Sequence, residues 1–237
     1  MLVDQVSFDI PRGKIVALAG GSGSGKTTVG LSILRLLPSA LNIGQGKIVF
    51  EGQDLLELSP EKIRQCRGAR IGMVFQEPLS AFDPLFTVGQ QLDEVLVAHT
   101  KLTRQERYSK VLDAFVQVEL PDPRRVYLSY PHQLSGGMRQ RAMMAQAVIG
   151  GPSLIIADEP TSSLDVTLQV KINAIFSHLR KKGVSILLIT HDLGMIAHLA
   201  DELVILRSGK IVEQGPADKV CAEPQHEYTK ELIEAFQ

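Results

Sequence analysis

Little in this sequence is in excess. Its 25 basic and 26 acidic side chains leave a net charge of −1, so no general attraction to nucleic acid or anionic lipid is implied. Two cysteines, Cys66 and Cys221, stand far apart without ligand-like spacing and read as unlinked thiols of a reducing compartment. No apolar run approaches the roughly 18–20 residues needed to cross a bilayer. The start, MLVDQVSFDIPRGK, carries Asp4 and Asp9 where a signal peptide would be basic and then apolar. A cytoplasmic chain is expected, with any membrane role coming through a partner. Internal repeats, coiled-coil heptads and low-complexity linkers are also missing.

What is present is an ordinary globular mixture, 44% hydrophobic and 22% charged over 237 residues. That length suits one large α/β domain or two modest lobes sharing a core. KIVALAG reads as a buried strand feeding a glycine-rich loop and a helix through Leu37, where Pro38 would end it. KIVFEG is a short strand. Ser59 and Pro60 start a helix through about Gln65, and RIGMVFQ is a strand stopping at Gln76. From about Val88 to Gly150 the pattern is helical: VGQQLDEVLVAH, then TRQERYSKVLDAFVQV, then a helix after Ser135. Strands return in SLIIA, VSILLIT, ELVIL and KIVEQ, the last two joined by a hairpin turn at Ser208-Gly209.

Gly20, Gly21, Ser22, Gly23, Ser24, Gly25, Lys26 and Thr27 match the phosphate-loop pattern G-x-x-x-x-G-K-[ST]. Glycines let backbone N–H groups turn inward where side chains would block a phosphate. Lys26 reaches the terminal phosphates, Thr27 offers a hydroxyl to Mg²⁺, and the helix that continues through Thr28 adds its positive dipole end. In LIIADEP, Asp158 emerges at the carboxyl end of a buried strand, placed to hold Mg²⁺, and Glu159 follows, suited to activate water. Ser135, Gly136 and Gly137 open a helix with exposed N–H groups. Two readings stay open there: an ordinary capped helix with Met143, Met144, Ala147 and Val148 packed inward, or a second anion site.

GGSGSGKT, Gln76 after a strand, LSGGMRQR, LIIADEP, SSLD and the histidine of LLITHD occur in one order. That order resembles the ATP-binding subunits of ABC transporters over nearly the whole chain. The resemblance implies an α/β P-loop NTPase fold of ABC type, an ATP-binding core over 1–76 and 151–237, and a helical subdomain over 77–150 with the signature motif. It implies ATP and Mg²⁺ as ligands and a second subunit, identical or paralogous, docked head to tail. Ser135, Gly136 and Gly137 would then grip the nucleotide held by the partner. Gln76 resembles the loop glutamine that senses metal and attacking water, Glu159 the catalytic base, Asp165 the acidic residue signalling across the dimer, and His191 the switch histidine.

QEPLSAFDPLFTVGQQL, SYPHQLSGGMRQR and EPQHEYTKELIEAF resemble the peptide/nickel importer group, with Met138 where many relatives carry glutamine. This implies membrane permease subunits and an extracytoplasmic solute-binding protein as partners, at the cytoplasmic face of the membrane. Leu79, Phe82, Leu85 and Phe86 would form a mini-core, or a groove receiving a permease helix, or both. The chain departs from the family's pattern at its start, 19 residues before Gly20, too late for the additional strand and the aromatic residue that stacks on adenine; either the start is shortened or adenine is held by less specific contacts. Phe8 reads instead as a strand core residue, and Tyr130 is a poor substitute. No iron–sulfur cluster and no nucleic-acid partner are expected. The rival assignment is an accessory ABC ATPase of a cytoplasmic enzyme complex such as carbon–phosphorus lyase.

Overall fold

The computed structural model describes residues 2–162 and 164–234; Ser163 of the SSLD stretch and Ala235 and Phe236 of the C-terminal stretch lie outside them. In chain order the elements are β1 (Ile15–Ala19), α1 (Lys26–Ile33), β2 (Val49–Phe50), β3 (Gln53–Asp54), α2 (Pro60–Cys66), β4 (Ile71–Val74) and α3 (Pro78–Ala81). They continue with α4 (Val88–His99), α5 (Arg104–Gln117), α6 (Pro123–Leu128), α7 (Gly136–Val148), β5 (Leu154–Asp158) and α8 (Val166–Lys181). The chain closes with β6 (Ser185–Ile189), α9 (Leu193–Leu199), β7 (Glu202–Arg207), β8 (Lys210–Pro216), α10 (Ala217–Ala222) and α11 (Glu227–Glu234). Two compact units result: Met1–Arg64 with Ser185–Gln237, and Gln65–Val184.

In the first unit the strands run β6-β1-β7-β8. β1 is parallel to both β6 and β7, and all five of its residues are buried, as a strand between two neighbours requires. β7 and β8 form the expected hairpin, turning through Ser208 at φ 48° and Gly209 at φ 79°, the doubly left-handed geometry that matches strand twist. Ala17, Ala19, Leu203 and Ile205 of these strands pack with Ile196, Ala217 and Val220 from α9 and α10. In the second unit β4 and β5 pair in parallel, followed or preceded by helices. A Cβ on Gly72 of β4 would lie 2.1 Å from the Ala147 carbonyl oxygen, so α7 rests on β4 at a distance that glycine alone permits.

Three expectations need correction. The first helix ends at Ile33, not Leu37, because Arg35 turns left-handed at φ 51°. The N–H groups of Leu36 and Arg35 then close on the carbonyls of Leu31 and Ser32, a Schellman stop with arginine in the glycine place. Phe8 lies in no strand; residues 5–10 run without regular structure and Phe8 is half-buried. Val148 is also half-buried, while Ala142 and Ala145 join Met143, Met144 and Ala147 inside. KIVFEG proves to be one arm of a small hairpin, β2 with β3, turned at Glu51 and Gly52, both at positive φ. The two free cysteines are unlinked as expected.

Candidate active site

In the first unit, β1 delivers the phosphate loop at its carboxyl end, where α/β folds bind ligands. Gly20 has φ 152° and a Cβ there would lie 2.1 Å from the Leu206 carbonyl oxygen; no other residue fits. Gly25 caps α1 at φ 106°. Ser24 donates its N–H to the Gly21 carbonyl at 3.2 Å. Lys26 is buried at 8% exposure, and its ammonium donates to the carbonyls of Gly20 at 2.8 Å and Gly21 at 3.1 Å. Burial of that charge is compensated by these bonds. The Ser24 hydroxyl is buried without a hydrogen-bond partner.

His191 belongs to the same unit. Leu18 of β1 sits opposite Ile189 of β6, so both strands end at one edge, and Thr190 donates its N–H to the Leu18 carbonyl at 3.3 Å. Thr190 Oγ1 accepts the Asp192 N–H at 3.0 Å, and the Asp192 carboxylate caps α9 through Met195 N–H at 3.0 Å. His191 is therefore an exposed corner between a buried threonine and a capped helix. Asp192, an N-cap residue type just before α9, is the local signal in the sequence that fixes this corner.

The second unit gathers the remaining residues. Val74 of β4 faces Ala157 of β5, so Gln76 and Asp158 follow adjacent strands to one edge. Gln76 is exposed and Asp158 is 2% exposed. Glu159 has φ 47°, a conformation that costs a non-glycine residue roughly 1–3 kcal/mol and tends to persist at functional sites. Its carbonyl accepts Ser162 Oγ at 2.9 Å. Gln140, buried in α7, donates to the Pro160 carbonyl at 2.7 Å. α7 is thus tied directly to the residue after Glu159, a link invisible in the sequence.

At the start of α7, Ser135 accepts the Met138 N–H at 3.3 Å, an N-cap. The two glycines differ. Gly136 is exposed, and a Cβ there would meet nothing closer than Arg139 Nη2 at 4.0 Å, whereas on Gly137 it would lie 2.2 Å from Leu168 Cδ2 of α8. Gly136 is the open position; Gly137 is required by packing. Asp165 caps α8 through Leu168 N–H at 2.9 Å. Of the four apolar residues after Gln76, Phe82 is buried at 3% exposure, while Leu79, Leu85 and Phe86 are exposed. Buried Gln91 holds the turn that carries Leu85 and Phe86: its Oε1 accepts the Asp83 N–H at 2.8 Å, and its Nε2 donates to the carbonyls of Asp83 at 2.9 Å and Phe86 at 3.0 Å.

Residues 3–162 match the family model described as ABC transporter. The chain belongs to the ABC transporter family, in its ATP-binding part. It is 45% identical over 235 residues, 98% of its own length, to the peptidoglycan transport ATP-binding protein YejF of Agrobacterium fabrum. It is 44% identical over 98% of its length to the dipeptide transport ATP-binding protein DppD of Bacillus subtilis, and 40% identical over 96% to the oligopeptide transport protein OppD of that organism. It spans 43%, 70% and 64% of those relatives. Its fold matches the ATP-binding cassette MJ0796, solved as a dimer in a post-hydrolysis state with ADP and Pi. The TM-score is 0.82 at 26% identity, with 91% of this chain and 90% of that one covered.

Proposed function

We propose that the protein is the ATP-hydrolysing subunit of an importer that moves a small solute, a peptide by the names of its relatives, through separate permease subunits. Nickel and metal chelates are the alternative small solutes for such an importer. The observation that carries this reading is the pair of anion-ready helix starts: the phosphate loop before α1, and Ser135 with open Gly136 before α7. One chain needs one triphosphate cradle. The second start serves the nucleotide of a second copy or paralogue docked head to tail, with residues 77–150 acting as the helical lobe that carries it.

The phosphate loop suits a polyphosphate. The buried Lys26 ammonium already rests on carbonyl oxygens, and a phosphate oxygen would relieve the unpartnered Ser24 hydroxyl. Thr27, Gln76 and Asp158 would hold Mg²⁺, which would supply positive charge to offset that of the phosphates. Among the described residues no three His, Cys, Asp or Glu side chains cluster. Glu159 orients and deprotonates water, Gln76 and His191 position it and the γ-phosphate, and Asp165 signals between the copies. ATP contacted from both sides holds the copies together; hydrolysis removes the shared contacts and they part, which the permease converts into alternating access.

No helix among the described residues is long and apolar enough to cross a membrane. Leu79, Leu85 and Phe86 would serve as apolar anchors for a cytoplasmic permease helix, which supports a peripheral position on that face. A solute-binding protein outside the membrane completes the importer. The test is Glu159→Gln, measured for ATP affinity, hydrolysis and oligomeric state. Affinity is expected within a few-fold of wild type, with hydrolysis down by about 10²–10⁴-fold and ATP-bound dimers accumulating. Wild-type turnover would remove Glu159 from its role.

A further inference from the structure

We infer that Tyr228 of α11 is a positioning residue of the phosphate loop and couples the C-terminal helix to nucleotide occupancy; the inference rests on the nucleotide-binding reading above. The Gly21 N–H donates to Tyr228 Oη at 2.7 Å, across 207 residues of sequence. The same glycine's carbonyl accepts the Lys26 ammonium and the Ser24 N–H. Gly21 is therefore held at its nitrogen by α11 and at its oxygen by the two loop groups nearest the chemistry. A shift of Tyr228 moves the oxygen against which Lys26 is set.

The ring itself is fixed. The Arg207 guanidinium lies 4.6 Å over its centroid, a cation–π contact. Arg207 follows Leu206, whose carbonyl is the group that forbids a Cβ on Gly20, so the end of β7 braces both the loop and the ring. Glu213 of β8 secures the entry to α11, accepting the N–H groups of Gln225 at 2.8 Å and His226 at 3.0 Å. His226 Nδ1 accepts the Tyr228 N–H at 3.1 Å. Tyr228 and Leu232 pack on the cluster that includes Ala17 and Ala19 of β1. A tyrosine present for packing alone would need the ring and not the hydroxyl; the hydroxyl is what reaches the loop. Half-buried Gly21 permits the approach, since a Cβ there would lie 3.0 Å from the tyrosine oxygen.

Tyr228→Phe keeps the ring, the arginine stack and the helix packing while removing the acceptor from the Gly21 N–H. Losing one such bond should weaken ATP binding roughly two- to tenfold, measured by equilibrium titration of the full chain with ATP and Mg²⁺. Because coupling is reciprocal, ATP should slow hydrogen exchange of α11 amides in the wild-type chain, and by much less in Tyr228→Phe. Equal ATP affinity of variant and wild type overturns this inference alone. Weaker binding with α11 exchange indifferent to ATP in the wild type makes the hydroxyl a local prop and overturns the coupling. A wild-type chain that binds no ATP overturns the ATPase reading and this inference together.

Discussion

Replacing Gly137 by alanine should destabilise the protein in its natural background and stabilise it once Leu168 is trimmed. The new Cβ would sit 2.2 Å from Leu168 Cδ2, far inside van der Waals contact near 3.5–4.0 Å. Leu168 is half-buried and can swing, which keeps the overpacking cost within the usual range of about 1–3 kcal/mol. Against this, alanine gains up to about 1 kcal/mol over glycine within a helix. The balance is a loss of about 0–3 kcal/mol. In a Leu168→Ala background the colliding atom is gone and the helical gain alone remains, so the same substitution should add up to about 1 kcal/mol. Urea unfolding of the four proteins gives the double-mutant cycle. ATP hydrolysis reports the functional arm, because the Leu168 N–H is bonded to the Asp165 carboxylate at 2.9 Å; pushing Leu168 strains that cap. Activity should fall in Gly137→Ala and recover in part in the double variant. The same stability change in both backgrounds would refute the reasoning.

Gly72→Ala should be harsher, since its Cβ would face the Ala147 carbonyl at 2.1 Å and backbone cannot rotate aside. A loss of about 3 kcal/mol corresponds to a drop of roughly 6–12 °C in Tm for a chain of this size, read by thermal melting. Glu213→Gln should loosen α11 at neutral pH. Burial pushes the Glu213 carboxyl up, but the polar groups that face it, the Gln225 amide foremost, together outweigh burial and hold its pKa below the ordinary 4.5. A lowered folded pKa contributes stability that is complete above the unfolded value and lost as pH falls through the folded one. The Tm gap between wild type and Glu213→Gln should therefore close on acidification below pH 4.5; a constant gap would contradict this.

Strand ends were the most legible part of the sequence. Buried runs such as LIIAD and SILLI are fixed by hydrophobic burial, and each places a polar residue, Asp158 or His191, at or just beyond its carboxyl end. Helix starts were nearly as clear, because capping is local: Thr87 with Gln90 and Thr103 with Glu106 close capping boxes, and Ser135 caps α7. Where an element stops depends on longer-range bonds. Arg35 ends α1 while donating to the Leu58 carbonyl at 2.6 Å, a partner that no local rule supplies. Contacts across long stretches were not legible at all. Tyr228 on Gly21, Gln140 on the Pro160 carbonyl and Leu168 under Gly137 leave no periodicity, and the stretches EPQHEYTKELIEAF and LSGGMRQR do not name those contacts.

The claim on which the account depends is that each nucleotide is consumed at a site completed by another copy. It is tested most directly by mixing a Ser135→Arg chain with a Lys26→Ala chain and measuring ATP hydrolysis. Each chain alone should be nearly inactive, because every site it forms with itself carries the lesion. The mixture should regain hydrolysis, since one site of the mixed dimer combines an intact Lys26 with an intact Ser135. Undiminished activity of Ser135→Arg alone, with no dependence on a partner, would contradict the account.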